Sequence, residues 1–236
     1  MNLIALNSER HRDLRVDPAH GLDGDHVRMC PVVTAEFAEV SADMPILLTR
    51  HGANGQAVAV ALMGIDDDEN LYLEAGQWLS GHKPLSLRHE PFFARLHRDQ
   101  PEILIDMASP RVGRHGERLF DDDGRATPYL DYIGAILADL VTGQKTTAAF
   151  VDRLLDFGLL EPAELTLDLP GGERTLDDCF TISRDALATL SDDAVVTLHR
   201  LGDLELIHLM LASLTHLKTL ERLKRARQSR TRKTAT

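Results

Sequence analysis

The sequence predicts an α+β fold in which strands and helices are largely segregated along the chain. Short runs rich in Val, Ile and Leu, separated by turn-forming residues, recur up to about residue 112. From residue 127 the apolar residues recur at helical spacing instead, and 43% of the 236 residues are hydrophobic, enough for a sizeable core. We therefore predict a single α+β domain over residues 1–223, strand-rich over 1–112 and mainly helical over 127–223.

Six apolar runs carry the strand signal of the N-terminal half. The spacer HGANGQ (51–56) predicts a hairpin connection, because Gly and Asn adopt positive φ, and GIDDDEN (64–70) predicts the next connection. An antiparallel meander is the most economical arrangement of such runs. The runs are LIAL (3–6), PVV (31–33), PILLTR (45–50), AVAVALM (57–63), NLYL (70–73) and EILID (102–106).

Two helices are predicted directly after this strand-rich region. Thr127 can cap the first helix, Pro128 suits its first position, and Gly143 is expected to end it. Thr146 can cap the second helix, and Gly158 lies at its expected C-terminal position.

The C-terminal third predicts one hairpin and three further helices. The segment LTLDLPGGERTL (165–176) contains two strand-like runs about a Pro-Gly-Gly turn. Ser183 and Ser191 each precede a helical run and suit the N-cap position. The last helix is predicted from Asp203 to about Leu223, with an apolar stripe sustained over six turns. Such a stripe needs the sheet or a second copy of the chain, so a homodimer through this C-terminal helix is one predicted arrangement.

Charge and composition exclude several classes of function. The net charge of −11 opposes general affinity for nucleic acid, which is therefore not an expected partner. No run approaches the roughly 18 consecutive apolar residues of a membrane span, so no membrane association is expected. The N-terminus carries no secretion signal, and we predict a cytoplasmic location, with Cys30 and Cys179 as reduced, buried thiols.

The basic tail, residues 224–236, differs from the acidic body of the chain. It carries six basic residues and no acidic one, and a segment of this composition is predicted to be disordered. Such a tail is typically solvated, and an acidic partner, RNA or the protein's own acidic surface are the alternatives.

The stretch WLSGHKPLSLRHEPFFARLHRD (78–99) holds the only Trp, two adjacent Phe and three of the eleven His. Large rings beside Gly and Pro can line a small-molecule pocket in which a few polar side chains orient the ligand. The predicted ligand-binding residues are Trp78, Arg88, His89, Phe92 and Phe93. The alternative, which is the commoner situation, is that this cluster is core.

A metal site in the same stretch would use His82, His89 and His97. Their separations of seven and eight residues suit one helical face, but Pro84 and Pro91 argue against a continuous helix. The tight HExxH pair of zinc sites does not occur. Phosphate-binding Gly-rich loops and GxSxG elbows do not occur either. We therefore predict no metal, no cofactor and no catalytic residues.

Six segments follow one another in the order of a known family pattern. They are LNSERHRDLRV, PVVTAEF before MPILLTR, ALMGIDDDENLYL, the single Trp followed by LRHEPF, RLFDDDGRATPYL, and LHRLGDLELIHLMLASLTHL. Together they resemble the bacterial SapC family of soluble, surface-layer-associated proteins, from Leu6 to about Leu220. The peptide-transporter permease and the saposins of similar name need spanning helices or six cysteines, which this sequence lacks.

The resemblance implies a type of function without assigning a site. No catalytic residues are established for the family, so the resemblance carries none over. Its members are often encoded beside flavin-dependent tryptophan halogenase-like proteins, cupin-like proteins and TonB-dependent receptors, which implies a halogenase-like or receptor-associated partner protein. We predict a non-catalytic accessory or binding protein that acts with a partner protein or a small organic ligand. The alternative is an enzyme acting on a small aromatic or amino-acid-like substrate, with a metal at the histidines named above.

Overall fold

The computed structural model describes residues 1–18, 26–51, 55–97, 100–169, 171–176 and 178–234. The chain divides into two compact units, and the single domain predicted over residues 1–223 stays a prediction. The first unit comprises Met1–Asp25 and Leu85–Thr142, and the second comprises His26–Pro84 and Gly143–Thr236. Each unit combines segments from both halves of the chain, because long-range strand pairing and helix packing decide which segments cluster.

The α+β class is confirmed, with fifteen strands and six α-helices among the described residues. Strands β1 to β15 are Leu3–Ala5, Arg15–Val16, Met29–Pro31, Ile46–His51, Gln56–Leu62, Leu73–Glu74, Gln77–Trp78, Phe92–His97, Gln100–Asp106, Val112–Gly113, Glu117–Arg118, Leu160–Pro162, Leu165–Leu169, Gly172–Leu176 and Cys179–Ile182. Helices α1 to α6 are Phe37–Ser41, Pro128–Asp156, Arg184–Ala188, Asp192–Leu201, Asp203–Ser213 and Leu217–Thr234. None of the helices within the described ranges is both long enough and apolar enough to span a membrane.

The first unit is built on two three-stranded antiparallel sheets, with strand orders β1-β9-β8 and β10-β2-β11. The first half of α2 contributes Leu130, Ile133 and Leu137 to its core, at the spacing of one helical face. These residues pack with Phe92 and Ile105, which are fully buried. Burial of this apolar face is therefore the main interaction that holds α2 in the unit.

The second unit is built on a five-stranded antiparallel sheet of order β12-β15-β4-β5-β3. Ile46, Leu47 and Leu48 in β4 are all fully buried, and successive strand residues point to opposite faces. Both faces of the sheet are therefore covered at this strand. The predicted meander is realised only in part, since β15 from the C-terminal third pairs with β4.

Helix α2 is continuous, where the sequence predicts two helices separated at Gly143. A Cβ atom on Gly143 would lie 2.6 Å from Cβ of Val33, so this glycine permits a close approach and does not end the helix. Thr146 does not cap a new helix, because its hydroxyl donates a hydrogen bond to the Gly143 carbonyl oxygen (3.0 Å). Gly158, with φ +63°, adopts the expected left-handed conformation beyond the helix end.

The other predicted caps and the hairpin are confirmed. The hydroxyl of Thr127 accepts a hydrogen bond from the Leu130 amide, and Ser183 and Ser191 accept from amides at the starts of α3 and α4. Strands β13 and β14 pair over residues 165–176, with residue 170 outside the described residues. The connection between β4 and β5 includes residues 52–54, which are also outside them.

The predicted final helix is divided, and it also extends further than expected. Residues 214–216 form a 3₁₀ turn between α5 and α6, and α6 continues to Thr234. Residues 224–234 are thus helical, where the sequence predicts disorder; residues 235–236 lie outside the described range. The start of this basic segment is held by acidic side chains of the same unit, since Nζ of Lys224 contacts Asp66 (2.6 Å) and Glu69 (2.7 Å).

Candidate functional site

The five predicted ligand-binding residues are divided between the two units. Trp78 belongs to the second unit, where its ring stacks on Tyr72 with centroids 6.4 Å apart. Its indole Nε1 donates a hydrogen bond to the His82 carbonyl oxygen (2.9 Å), and the Lys83 ammonium lies 5.8 Å from the ring centroid. Trp78 is therefore held on both its face and its polar edge by residues of its own unit.

The other four residues, Arg88, His89, Phe92 and Phe93, belong to the first unit. Phe92 is fully buried and meets the ring of Tyr129 edge-on at 6.2 Å, which is a core contact. Nδ1 of His89 donates a hydrogen bond to the Phe92 carbonyl oxygen (2.6 Å), and its ring lies 5.5 Å from that of Phe93. The structure thus brings His89, Phe92 and Phe93 together. Arg88, which precedes His89 in the sequence, is half-buried.

The histidines of the alternative metal site also lie in different environments. Nε2 of His82 contacts Oε2 of Glu36 at 2.9 Å, whereas Nδ1 of His89 is occupied by a backbone carbonyl. The side chain of His97 is outside the description. In the part of the chain that the structure describes, no group of three or more His, Cys, Asp or Glu side chains is placed to hold a metal ion.

The second unit contains a groove of about 600 Å³, which is within the usual size range of small-molecule sites. One wall is a face of the five-stranded sheet. Leu48 and Arg50 alternate along β4 and so point to the same face, and Phe180 of β15 pairs directly opposite Leu48. Pro162 of β12 pairs opposite Phe180 and extends this row. We call this cavity the helix–sheet groove.

The opposite wall of the helix–sheet groove is the last part of α2. Ala148, Val151, Asp152 and Leu155 line it, at positions i, i+3, i+4 and i+7 of one helical face. Leu155 is 55% exposed, although it is a large apolar side chain, which is consistent with a wall left accessible. The remaining lining residues are Gly55, Gln56, Ala57 and Leu160.

Two charged side chains of opposite sign face an otherwise mainly apolar groove. Arg50 lies on the sheet wall, with its guanidinium carbon 5.5 Å from the centroid of the Phe180 ring. Asp152 lies on the helix wall, and neither charge forms an ion pair within the described residues. A guanidinium can bind a carboxylate through two parallel hydrogen bonds, and a carboxylate can accept from an ammonium. The groove can therefore bind a small molecule that carries both charges.

Sequence reasoning did not find these groove residues. The only local signal was the alternation of Leu48 and Arg50 in the predicted strand PILLTR, which is equally typical of a strand edge facing solvent. Ala148 and Asp152 carry the spacing of a helix face but no distinctive chemistry. The site becomes visible only when β4, β15 and α2 are placed together.

A comparison with known families now identifies the chain. The family model described as SapC matches residues 6–220. The chain belongs to the SapC family. The match includes every residue that lines the helix–sheet groove, as well as Trp78 and the His89 to Phe93 segment. No curated protein and no solved structure matches the chain at a significant level.

Proposed function

We propose that this SapC-family protein is a non-catalytic binding protein and that the helix–sheet groove holds its small organic ligand. The ligand class is an amino-acid-like molecule with a carboxylate, an ammonium and an apolar or aromatic body. The observation that carries this proposal is the placement of Arg50 and Asp152 on the two walls of the helix–sheet groove.

The lining of the groove supports binding more than covalent chemistry. Its described residues include no Ser, Thr, Cys, Lys, Tyr or His side chain, and Asp152 is the one side chain among them of a type that serves as a nucleophile. The accessible apolar side chains of the groove, Phe180 and Leu155, can cover an aromatic or aliphatic side chain, and each buried methylene contributes about 0.8 kcal/mol. The enzymatic alternative has no comparable support in this groove.

The proposal is tested by isothermal titration calorimetry with L-phenylalanine and L-tryptophan as probes. Replacement of Arg50 by Leu is expected to weaken binding about 10-fold or more, because the carboxylate loses a charged donor. Ala148→Trp should abolish binding by filling the groove. Arg200→Leu is the matched control, since Arg200 is exposed on α4 and its replacement removes the same charge as Arg50→Leu does. Probe binding that both groove variants retain would rule out this site.

The residues singled out from the sequence remain a second predicted location. If the probes bind, and Phe93→Ala weakens binding while Arg50→Leu does not, then the ligand occupies the first-unit segment around His89 and not the groove; weakening by Trp78→Ala instead would place it beside Trp78 in the second unit. Arg88 and His89 would supply the polar contacts there, while Phe92 is fully buried and its replacement should mainly reduce stability.

A partner protein and a homodimer stay part of the proposal. The apolar stripe that suggested a dimer includes Ile207, Leu211 and Leu220, all buried within the second unit. A dimer through the C-terminal helices would therefore need the exposed faces of α5 and α6. Sedimentation equilibrium measures this directly, and a monomer at all concentrations would remove the dimer from the proposal.

A cytoplasmic location is supported by the cysteines. Cys30 and Cys179 are both buried, and neither forms a disulfide within the described residues. Cysteines kept as thiols are typical of a reducing compartment. Fractionation of the native host, followed by detection of the chain, tests this location.

A further inference from the structure

Four arginines of the first unit line a single recess. The recess has a volume of about 360 Å³, and its lining residues are Arg12, Asp13, Arg15, Arg114 and Arg118. Four guanidinium groups and one carboxylate give the lining a formal charge of +3, in a chain whose net charge is −11. We call this recess the arginine recess. Its charge is opposite to that of the protein as a whole.

The fold holds two of the arginines in direct opposition. Arg15 of β2 and Arg118 of β11 are partners across an antiparallel pair, and like charges in that position destabilise a sheet. Gly116, in the loop between β10 and β11, lets this loop lie close to β2. A Cβ atom on this residue would lie 2.3 Å from the Val16 carbonyl oxygen. Its own carbonyl oxygen accepts a hydrogen bond from Arg15 (3.0 Å), which orients that side chain. Arg114, two residues before Gly116, also lines the recess.

The protein neutralises only part of this charge. Arg118 donates a hydrogen bond to Asp122 (2.6 Å), and this bond, with the charges of Arg118 and Arg12, holds the pKa of Asp122 below its usual range. Within the described residues, Arg12 and Arg114 take part in no ion pair, and both are exposed. Asp121 and Asp13 also act on the charge of Arg118, and Arg12 and Arg114 are the two lining arginines outside any ion pair of the described residues.

We propose that the arginine recess binds the diphosphate or phosphate group of a small phosphorylated compound. Guanidinium groups bind phosphate oxygens through pairs of parallel hydrogen bonds, and several arginines around one recess suit a multiply charged oxyanion. The recess is too small for a long polyanion to be enclosed, and the acidic net charge of the chain opposes nucleic acid. This site lies in the first unit and is independent of the ligand proposed for the helix–sheet groove.

The test uses the full chain and inorganic pyrophosphate as the probe in isothermal titration calorimetry. We expect one pyrophosphate per chain, with affinity reduced about 10-fold or more in both Arg12→Gln and Arg114→Gln, because each removes a charged donor. Arg10→Gln is the matched control. Arg10 is exposed in the turn next to Arg12 and does not line the recess. Its replacement by Gln changes the net charge by the same amount as the two recess variants do.

The outcomes separate a built site from a merely positive surface. Affinity that is unchanged in Arg10→Gln and lost in the two recess variants supports the proposal, provided that thermal melts show all three proteins folded. Equal weakening by all three variants indicates diffuse attraction and overturns it. The absence of heat at about 1 mM pyrophosphate also overturns it. Binding of single-stranded RNA without binding of pyrophosphate would assign the recess to a macromolecule instead.

Discussion

Oε2 of Glu36 lies 2.9 Å from Nε2 of His82, and the Glu36 side chain is only 3% exposed. The other carboxylate oxygen of Glu36 accepts a hydrogen bond from the Val33 amide (3.2 Å). Glu36 therefore connects the start of α1 to the segment that follows Trp78. A carboxylate buried in this way depends on its donors, because desolvation is costly when a hydrogen bond is removed.

His82→Ala is expected to lower the free energy of unfolding by about 2 kcal/mol, because Glu36 loses one of its donors while it stays buried. The measurement is urea denaturation followed by circular dichroism. His199→Ala is the control, since His199 is exposed on α4. Equal stability of the two variants would show that the pair between Glu36 and His82 contributes little.

Two glycines of α2 should respond in opposite directions to replacement by alanine. Gly143→Ala is expected to destabilise the protein by about 1–3 kcal/mol, because the new Cβ would overlap Val33. Gly134→Ala should stabilise it by about 0.5–1 kcal/mol, since its Cβ would meet only the end of Ile103 at 3.8 Å and alanine favours helix. Thermal melts of both variants test this, and a stabilising Gly143→Ala would contradict the observed close approach.

Arg153 and Asp203 form a bidentate ion pair, with Nε to Oδ2 at 2.5 Å and Nη2 to Oδ1 at 2.7 Å. Asp203 is 1% exposed at the start of α5. Arg153→Met is expected to cost about 3 kcal/mol, because it leaves this carboxylate buried without its main partner. Urea denaturation measures the change, with Arg200→Met as the control for loss of an exposed arginine. A cost no larger than that of the control would mean that Asp203 finds another partner.

The basic end of α6 should contribute to stability. Arg227 donates to the carbonyl oxygens of Asn70 (2.9 Å) and Leu73 (2.7 Å), in addition to the contacts of Lys224 with Asp66 and Glu69. Deletion of residues 224–236 is expected to lower the free energy of unfolding by about 3 kcal/mol, whereas deletion of 231–236 should have little effect. Differential scanning calorimetry distinguishes the two truncations. Identical melting temperatures would support the disorder predicted from composition.

The contact between Lys224 and Asp66 predicts how stability depends on pH. The hydrogen bond from Lys224 is the main reason that the pKa of Asp66 lies below its usual range. Burial lowers the pKa of Lys224, but the hydrogen bonds that its ammonium donates to Asp66 and Glu69 outweigh this effect, and the net change in the pKa is upward. A lowered carboxyl pKa gives stability that is present above the ordinary value and is lost as pH falls through the folded value.

The difference in stability between the wild type and Lys224→Met should therefore stay constant from about pH 7 down to about pH 4 and shrink as pH falls further. It should also shrink at the alkaline end, as pH rises through the raised pKa of Lys224, because the ammonium then loses its proton. Denaturation midpoints of both proteins, measured from about pH 3 to the alkaline region in which Lys224 loses its proton, test the prediction. A difference that does not change with pH would mean that packing of the lysine stem, not the ion pair, provides the stability.

The sequence by itself determined the α+β class, the hairpin over residues 165–176 and the caps at Thr127, Ser183 and Ser191. Each of these depends on neighbouring residues, through side-chain periodicity, turn geometry or hydrogen bonds to nearby amides. The order of the six segments also determined membership of the SapC family. No long-range information is needed for any of these features.

Only the tertiary structure decided the features that depend on residues distant in sequence. Gly143 was predicted to end a helix, but its neighbour Val33 makes it a point of close approach. Lys224 belongs to a tail whose composition predicts disorder, yet carboxylates of a distant turn stabilise it as helix. Arg50 and Asp152 have no distinctive pattern and become a candidate site because strand pairing and helix packing place them on two walls of one groove. Local helix and strand propensities do not describe contacts between distant residues. The energies of these tertiary contacts are larger than the differences in propensity.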